Sequence, residues 1–281
     1  ASDEKNITAI TCGLSEFSIV GIPAEEYPEI PSITGETTID LPHSMLKSMI
    51  RQTIFAVADT DAKPIHTGTL FELGGGTLRL VSVDGYRLAI REEPVQANEE
   101  ASFVVTGKTL NEVTKLLSDS EEETLSLVVG RRHILFKIGN YTVISRLLEG
   151  EFLDYKAAIP AASSTEVLVN TRSFIESVER VSLLITDRLK SPVRCLFEDN
   201  EIKLSCSTSM GRANDQFEAQ ITGGNVEIGF NNRYLLDALR NAEGDEVKVQ
   251  LNGPLSPMKV LPREGNAFLF LVLPVRLKSD S

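Results

Sequence analysis

Histidines, neighbouring carboxylates and a glycine run are the features of this sequence whose residue types could support catalysis or ligand binding. His43, His66 and His133 are scattered, without the His-Glu-x-x-His or Cys/His spacing of metal sites. Surface or packing roles are therefore favoured for all three. Asp59 and Asp61 share a predicted loop, where exposure to solvent accounts for them.

The glycine run Gly74-Gly75-Gly76 has the composition of a phosphate-binding loop. Such a loop leads into a helix, and a P-loop ends in Lys followed by Ser or Thr, whereas a strand is predicted after this run. The nucleophile elbow Gly-x-Ser-x-Gly is absent as well. No combination of nucleophile, base and orienting group is found, so the sequence predicts a non-catalytic protein with neither a cofactor nor a metal ion.

The stretch from residue 78 to residue 90 places an Asp84-Gly85 pair between two apolar runs. Asp-Gly tolerates the positive φ of tight turns, so this stretch predicts a β-hairpin. Tyr86, Arg87 and Leu88 follow the turn, and aromatic and arginine side chains commonly anchor interfaces. Local features alone favour a hairpin without a further role, but the rest of the chain favours a binding surface.

Length and composition indicate a folded protein of about two domains. The chain has 281 residues, of which 42% are hydrophobic, and a net charge of −12. The average surface therefore repels nucleic acid, and any contact with DNA has to come from local placement of basic residues.

The cysteines point to a reducing compartment. Cys12, Cys195 and Cys206 form neither a Cys-x-x-Cys pair nor an even disulfide framework, and no signal or lipidation segment is recognised. The longest apolar run, residues 267–273, is far shorter than the ~20 residues that cross a bilayer, and we expect it to be a buried strand. The sequence thus predicts a cytoplasmic protein.

One order of predicted elements occurs twice: strand, helix, three strands, strand, helix, three strands. It runs from residue 37 to 147, with a strand over 64–71, and again from 167 to 273, with a helix over 171–185 and a strand over 213–221. Shifts of 129 and 125 residues superimpose basic helix positions: Arg51 on Arg180, Lys108 on Arg233 and Lys115 on Arg240. Similar connectors, at 27–31 and 155–160, each follow a strand pair. Residues 1–34 are therefore expected to be the tail of a further repeat, in a chain that opens at Ala1 inside a larger protein.

The four predicted helices are the basic part of this acidic chain. Their charges sum to +4, which leaves −16 for the remainder. Helices that share one face of a curved sheet would offer phosphates a track that does not depend on base sequence. Solvated helix faces are the alternative, and charge by itself favours that alternative.

Five segments carry a family resemblance. They are Ser15-Glu16-Phe17 with Pro23-Ala24-Glu25-Glu26-Tyr27-Pro28, Met49 to Ala56, Val83 to Ala89, Ile228-Gly229-Phe230-Asn231 with Tyr234-Leu235, and Leu273-Pro274-Val275-Arg276-Leu277. In this order and spacing, and over essentially the whole chain, the sequence resembles the bacterial β sliding clamps, the processivity subunits of DNA polymerase III.

The resemblance implies an α+β fold of repeated DNA-clamp (processivity-fold) domains, each with antiparallel sheets outside and two helices on the inner face. It divides the chain into the tail of a first clamp domain with its connector (1–34), a middle clamp domain (35–158) and a C-terminal clamp domain (159–281). Family members have three such repeats, and two full-length chains close head to tail into a ring around duplex DNA. Leu184 and Ile185 match positions near the ring contact, although ordinary core packing explains them equally well.

The resemblance also implies a cleft between the last two repeats that receives short peptides of the Gln-Leu-x-Leu-Phe type. Expected partners are duplex DNA, the DNA polymerase III alpha subunit, the clamp loader and other proteins with the clamp-binding motif. The cleft residues are Lys63, His66, Val83, Gly85, Tyr86, Arg87, Leu88, Leu153, Ala157, Ala158, Asn231, Tyr234, Leu273, Pro274, Val275 and Arg276. The DNA-facing residues are Lys47, Arg51, Lys108, Lys115, Arg172, Arg180, Arg233 and Arg240.

The expected cleft departs from the family pattern at four positions. Many relatives carry Thr and His where this chain has Val83 and Tyr86, and Pro and Arg where it has Leu153 and Ala157. These differences predict a more apolar and less basic pocket. Two buried peptide side chains, less the cost of association, predict an affinity on the order of micromolar. The alternative function is a peptide-binding adaptor that does not encircle DNA.

Overall fold

A computed structural model describes residues 6–27, 33, 37–60, 63–97 and 99–277. The chain divides into two compact units, Ala1–Thr34 and Gly35–Ser281. In the first unit, strands β1 (Ile7–Cys12) and β2 (Ser15–Val20) pair as an antiparallel hairpin. A short 3-10 turn, Ala24–Glu26, follows. The remainder of the predicted connector, residues 28–31, lies outside the described residues.

Two copies of one element order make up the second unit. The first copy has helices α1 (His43–Ile54) and α2 (Gly107–Leu116) and strands β3 (Thr37–Pro42), β4 (Gly68–Gly74), β5 (Thr77–Val83), β6 (Arg87–Pro94), β7 (Ala101–Thr106), β8 (Thr124–Val129), β9 (His133–Ile138) and β10 (Tyr141–Leu148). The second copy has helices α3 (Thr171–Ser182) and α4 (Asn232–Asn241) and strands β11 (Thr165–Asn170), β12 (Val193–Glu198), β13 (Glu201–Thr208), β14 (Gly211–Glu218), β15 (Gln220–Gly223), β16 (Val226–Phe230), β17 (Glu246–Leu251), β18 (Met258–Pro262) and β19 (Phe268–Val272). The first copy matches the predicted order element for element.

The second copy departs from the prediction at one strand. The strand expected over residues 213–221 is two strands, β14 and β15, which belong to different sheets. β14 is the edge of a small sheet in the order β14-β13-β12-β16, whereas β15 pairs with β11 in the large sheet. Between them, the buried Ala219 donates its N–H to Asn200 O at 2.9 Å. An extended backbone continues on both sides of Ala219, so local sequence patterns do not reveal the change of sheet.

One antiparallel sheet runs through both copies in the order β15-β11-β17-β18-β19-β6-β5-β4-β7-β10-β9-β8-β3. The pairing of β19 with β6 joins the copies, with Phe270 opposite Ala89 and Leu271 opposite Leu88. Because side chains alternate along a strand, the first pair faces the helices and the second pair faces the opposite side. We call this β6–β19 pairing the joint.

The described helices lie side by side, with α2 against α1 and α3 against α4. α1 packs on β6 and α4 packs on β19, so the two inner helices of the row meet across the joint. The rings of Phe55 and Phe270 make an edge-to-face contact with centroids 5.2 Å apart. Ser48 Oγ also donates to Glu243 Oε1 at 2.8 Å, which connects α1 to the residues after α4.

Side-chain caps determine where three of these helices begin. Thr106, Asn170 and Asn231 each accept a backbone N–H from the first turn of α2, α3 and α4 respectively. Helix α3 ends at Ser182 rather than at the predicted Ile185, because the chain turns at the following residues.

Each copy has its own helix-facing core, and a third apolar cluster lies on the other face of the joint. Phe71 and Phe136 are fully buried in the first copy, and Phe174 and Phe230 in the second. The two copies nevertheless form one compact unit, so the boundary between 35–158 and 159–281 stays a prediction.

The cysteines are free, with Cys12 exposed and Cys195 and Cys206 buried. Among the described residues, no helix has the length and apolar character needed to cross a membrane.

Candidate functional site

The turn between β5 and β6 is held by Asp84. Its Oδ1 accepts the N–H groups of Tyr86 and Arg87 at 2.9 and 3.0 Å, and its Oδ2 accepts from Arg87 Nε at 2.9 Å. Gly85 adopts a φ of +90°, a conformation that is strained for other residues. The turn therefore leaves Tyr86 60% exposed while the Arg87 guanidinium is buried at the joint.

Tyr86 and Arg87 meet the first turn of α4. The rings of Tyr86 and Tyr234 stack with centroids 5.6 Å apart, and the Arg87 guanidinium lies 4.7 Å from the centre of the Tyr234 ring. Arg87 also pairs with Asp237, one turn further along α4. Burial, together with the nearby charge of Asp84, raises the pKa of Tyr234.

The segment after β19 closes this side of the site. Leu273 N–H donates to Tyr86 O at 2.9 Å, and Val275 N–H donates to Gly229 O at 2.8 Å. A Cβ at Gly229 would lie 2.7 Å from Val275 O and 2.6 Å from a methyl carbon of Leu277, so only glycine permits this approach. Leu273 and Val275 remain 37% and 39% exposed and present apolar surface next to Tyr86.

The connector after β10 crosses the face of the joint that lies opposite the helices. Tyr155 is buried there with Val83, Leu88 and Leu271, and Phe152 packs against the same cluster. Anchored in this way, the connector leaves Leu153, Ala157 and Ala158 exposed.

His66 is a packing residue beside the connector. It lies in the 3-10 turn Pro64–Thr67, where a strand had been expected, and its ring meets that of Phe152 with centroids 5.4 Å apart. Burial, together with the charge of Lys63, lowers the pKa of His66.

The structure thus brings most of the predicted cleft residues to one region at the joint. Direct contacts join Tyr86, Arg87, Tyr234 and Leu273, while Val83 and Leu88 share the cluster under the connector. Within the described part of the chain, no hydrogen bond, ion pair or ring contact joins the following residues to other members of the predicted set: Gly85, Leu153, Ala157, Ala158, Pro274, Val275 and Arg276.

Several residues that shape this site are absent from the cleft residues predicted from the sequence. Asp84 enters the prediction only through its turn, although an Asx turn places its carboxylate against the N–H groups two and three residues further on. Asp237 lies three residues after Tyr234, a spacing that puts both on one helix face. Phe152 and Tyr155 are aromatic residues of the connector, and their burial depends on the folded joint.

A groove of about 840 Å³ runs beside Arg87 and the first turn of α4. Arg87, Asn231, Tyr234 and Val275 line one side, and the 185–192 loop lines the other. Its volume lies within the range of ~300–1,000 Å³ typical of ligand sites.

Most of the predicted DNA-facing residues form ion pairs. The pairs are Lys47 with Asp119 at 2.8 Å, Lys115 with Glu112 at 2.7 Å, Arg172 with Glu176 at 2.7 Å, Arg180 with Asp215 at 2.7 Å, Arg233 with Asp187 at 2.9 Å and Arg240 with Glu179 at 2.6 Å. Lys47 holds the pKa of Asp119 below its ordinary value. Arg51 and Lys108 are exposed and have no ion pair in the described part of the chain.

The residues expected near a ring contact lie in the turn beyond α3 and not at the end of the helix. Leu184 and Ile185 are half-buried, and Ile185 packs against the second core. The preceding Leu183 is 81% exposed and is the more available apolar side chain of this turn. The sequence pattern predicts a helix that continues to Ile185 and therefore does not distinguish Leu183 from its neighbours.

His43 and the glycine run, whose residue types could support catalysis or ligand binding, have local structural explanations. His43 is buried at the start of α1, with Nδ1 3.1 Å from Ser118 Oγ. Gly75 and Gly76 form the tight turn between β4 and β5, with φ of +58° and +73°. No cluster of potential metal ligands occurs among the described residues.

Comparisons with known proteins agree with this architecture. A family model described as "DNA polymerase III beta subunit, central domain" matches residues 40–154, and one described as its C-terminal domain matches residues 156–276. The beta sliding clamp of Bacillus subtilis is 35% identical over 275 residues, which cover 96% of this chain and 72% of that protein. That of Halalkalibacterium halodurans is 34% identical, with 96% and 73% covered.

Solved structures give the same result. The DNA polymerase sliding clamp from Bacillus subtilis superposes with a TM-score of 0.93 at 33% identity, covering 99% of this chain and 74% of that one. A putative DNA polymerase III beta subunit from Eubacterium rectale gives a TM-score of 0.92, also at 33% identity, with 98% and 75% covered.

The fold and the site at its joint therefore define an α+β DNA-clamp protein of the processivity type. The two matched domains together account for most of the chain. The chain belongs to the β sliding clamp family, the non-catalytic β subunits of DNA polymerase III.

Proposed function

We propose that this chain, within its full-length protein, encircles duplex DNA and tethers the replicative polymerase through the cleft at the joint. The clamp loader and other proteins with the clamp-binding motif would use the same cleft, and the protein would act in the cytoplasm. Two full-length chains would close head to tail, so that topology rather than affinity keeps the ring on DNA.

The observation that carries the peptide-binding part is the convergence of four chain segments at the joint. The β5–β6 turn, the start of α4 and the segment after β19 meet beside the 840 Å³ groove, and the connector after β10 packs on the other face of the same joint. Tyr86, Leu153, Leu273 and Val275 keep between 37% and 60% of their surface exposed. Exposed apolar side chains around a groove suit a short apolar peptide.

The binding mode follows from this surface. The apolar side chains of a Gln-Leu-x-Leu-Phe peptide would cover Leu273, Val275 and the stacked Tyr86 and Tyr234 rings. We expect a dissociation constant on the order of micromolar, because burial of two side chains is partly offset by the entropy lost on association. Weak binding would let one partner replace another at the same cleft.

Fluorescence polarisation of a fluorescein-labelled peptide containing Gln-Leu-Ser-Leu-Phe tests the cleft. Tyr86→Ala removes half of the aromatic stack and should weaken binding by about tenfold or more, as is usual for an aromatic anchor. Arg276→Ala should weaken binding less, because this side chain lies at the exposed edge. Tyr141→Ala is the matched control, since Tyr141 is similarly exposed at 62% and lies on β10.

Peptide binding that survives Tyr86→Ala in full would refute the assignment of the cleft. Equal losses in Tyr86→Ala and Tyr141→Ala would show that any loss of exposed aromatic surface weakens binding, which would also contradict a localised cleft.

Encirclement of DNA is tested by topology. The full-length protein, loaded onto nicked circular DNA by the clamp loader with ATP, should remain bound in high salt and dissociate when the circle is linearised. Dissociation from intact circles in high salt would contradict a closed ring.

A peptide-binding adaptor that does not encircle DNA is the second candidate. It is favoured by the net charge of −12 and by the ion pairing of most helix cations, which both reduce attraction for phosphate. An adaptor would bind the labelled peptide, but its residence on DNA would not depend on whether the DNA is circular.

A further inference from the structure

The row of helices carries positive charge that its own neighbours largely neutralise. The four described helices sum to +4, and Asp119, Asp187 and Asp215, which pair with helix cations from neighbouring segments, supply three negative charges. The helices together with these three carboxylates therefore carry only +1. The charge of the helices alone predicts a basic surface, because that sum leaves these carboxylates out.

Pairing extends across helices as well as along them. Arg240 of α4 donates to Glu179 of α3 at 2.6 Å, and Arg172 and Glu176 pair within α3. These partners are between 44% and 87% exposed, so each pair lies where a phosphate can reach it.

Cations and carboxylates also lie next to each other at the joint between the two copies. A cavity of about 250 Å³ between α1 and α4 brings Lys47 and Arg51 of the first copy next to Arg240 of the second, with Asp119 and Glu243 in the same cavity. Cations from both copies therefore meet on one face, and carboxylates are interleaved with them.

We propose that the DNA-facing surface is charge-compensated: phosphates contact most of its cations only by displacing a carboxylate of the same chain. Arg51 and Lys108, which form no ion pair with the described residues, are the cations available without displacement. This inference rests on the proposed encirclement of DNA and concerns how the same surface regulates its hold on the duplex.

The physical consequence is a low barrier to movement along DNA. An exposed ion pair contributes little stability, so a guanidinium can exchange a carboxylate for a phosphate at small cost. The carboxylate that is released repels the duplex, and the net gain in binding free energy from each exchange is therefore small. Fewer counterions are displaced than the eight basic side chains would suggest, and binding should depend only weakly on salt.

Neutralising the carboxylate partners tests this proposal. The triple variant Glu112→Gln, Glu176→Gln, Glu179→Gln frees Lys115, Arg172 and Arg240 while preserving side-chain shape. Its affinity for a fluorescein-labelled 30-base-pair linear duplex should rise about tenfold or more in 50 mM KCl, and the slope of log K against log salt should steepen by about 2 to 3.

The matched control is Glu198→Gln, Glu227→Gln, Glu246→Gln. These residues pair with Lys203, Arg194 and Arg263, and they lie on strands β12, β16 and β17 rather than on the helices. The control makes the same change in net charge, and its DNA affinity should stay within about twofold of the wild type, because local placement rather than total charge decides contact with phosphate. Equal effects of the two triple variants, or no effect of the helix variant, would overturn the inference.

Single cation variants give a second, independent measurement. Arg51→Ala or Lys108→Ala should each flatten the salt slope by about 1, whereas Arg172→Ala should flatten it by less because Arg172 is already neutralised. Equal changes in the salt slope for all three variants would contradict charge compensation. Thermal melts of every variant confirm that it is folded before DNA binding is compared.

Loading onto circular DNA separates the two proposals. Normal retention of the wild type on circles, combined with unchanged linear-duplex affinity in the helix triple variant, would refute compensation and leave encirclement intact. Loss of retention in the wild type would refute encirclement itself.

Discussion

At the scale of single residues, buried polar side chains hold the connector on the joint. The Tyr155 hydroxyl donates to Glu72 and accepts from Arg79 Nη1 at 3.2 Å, and Arg79 in turn pairs with Glu92. Lys259 Nζ holds the other end of the connector by donating to Pro160 O at 3.0 Å. These bonds fix the segment that presents Leu153, Ala157 and Ala158 to the proposed cleft.

Removing the Tyr155 hydroxyl should loosen this segment. Tyr155→Phe keeps the buried ring but loses both hydrogen bonds, and we expect a decrease of about 1 kcal/mol in the free energy of unfolding, measured by urea titration. Tyr141→Phe is the control, because Tyr141 is exposed and its hydroxyl has no hydrogen bond in the described part of the chain. Equal stability of both variants and the wild type would contradict a structural role for the hydroxyl.

The same hydroxyl predicts a pH dependence. Burial and the hydrogen bond to Glu72 raise the pKa of Tyr155 to about 12, above the ordinary value of 10.0. The unfolded chain therefore loses this proton first, and stability falls as the pH rises from 10 towards 12. The stability difference between wild type and Tyr155→Phe should narrow over this range, and a constant difference would argue against the raised pKa.

At the scale of elements, the first turn of α4 links helix capping to the cleft. Asn231 Oδ1 accepts from Arg233 N–H at 2.9 Å and Tyr234 N–H at 3.4 Å, so the cap also positions the Tyr234 ring under Tyr86 and Arg87. Loss of this cap should therefore affect both stability and peptide binding.

Asn231→Ala should decrease the free energy of unfolding by about 1 kcal/mol, as for other N-cap residues. It should also weaken binding of the labelled peptide in fluorescence polarisation. Asn170 is the equivalent cap of α3, and its Oδ1 accepts from Ser173 N–H at 2.9 Å. Asn170→Ala should decrease the free energy of unfolding by a similar amount without weakening peptide binding. Parallel losses of peptide binding in both variants would indicate a general effect of instability.

At the scale of the whole molecule, Arg91 connects the two copies. Its side chain is only 7% exposed, and Nη1 donates to Glu92 O at 2.9 Å and to Ala267 O, in the other copy, at 3.0 Å. Nη2 pairs with Glu93. A buried guanidinium that bonds carbonyls on both sides of the joint should restrict movement of one copy relative to the other.

Arg91→Met should decrease the free energy of unfolding by about 2 kcal/mol, because buried hydrogen bonds to a charged group are lost. Hydrogen exchange followed by mass spectrometry should show faster exchange of the β6 and β19 amides that pair across the joint. Arg79→Met is the control, since Arg79 pairs within the first copy and beneath the connector. Unchanged exchange at the joint in Arg91→Met would contradict this role.

The sequence by itself determined the features that depend on neighbouring residues. The hairpin at Asp84-Gly85 and the twice-repeated order of elements could both be read from local patterns, because turns and periodicity act over a few residues. Family resemblance then supplied the clamp fold and the residues of the proposed cleft, of which the fold is confirmed and the cleft stays a prediction.

Only the tertiary structure decided the features that join distant parts of the chain. The stack of Tyr86 on Tyr234, the pairing of Arg240 with Glu179 and the change of sheet at Ala219 all depend on partners brought together by folding. Charge counted along helices gave a basic surface, whereas the folded chain sets a carboxylate beside most of those cations. Ion pairing depends on distance in space, so a sum over sequence segments cannot predict the charge of the surface that they form.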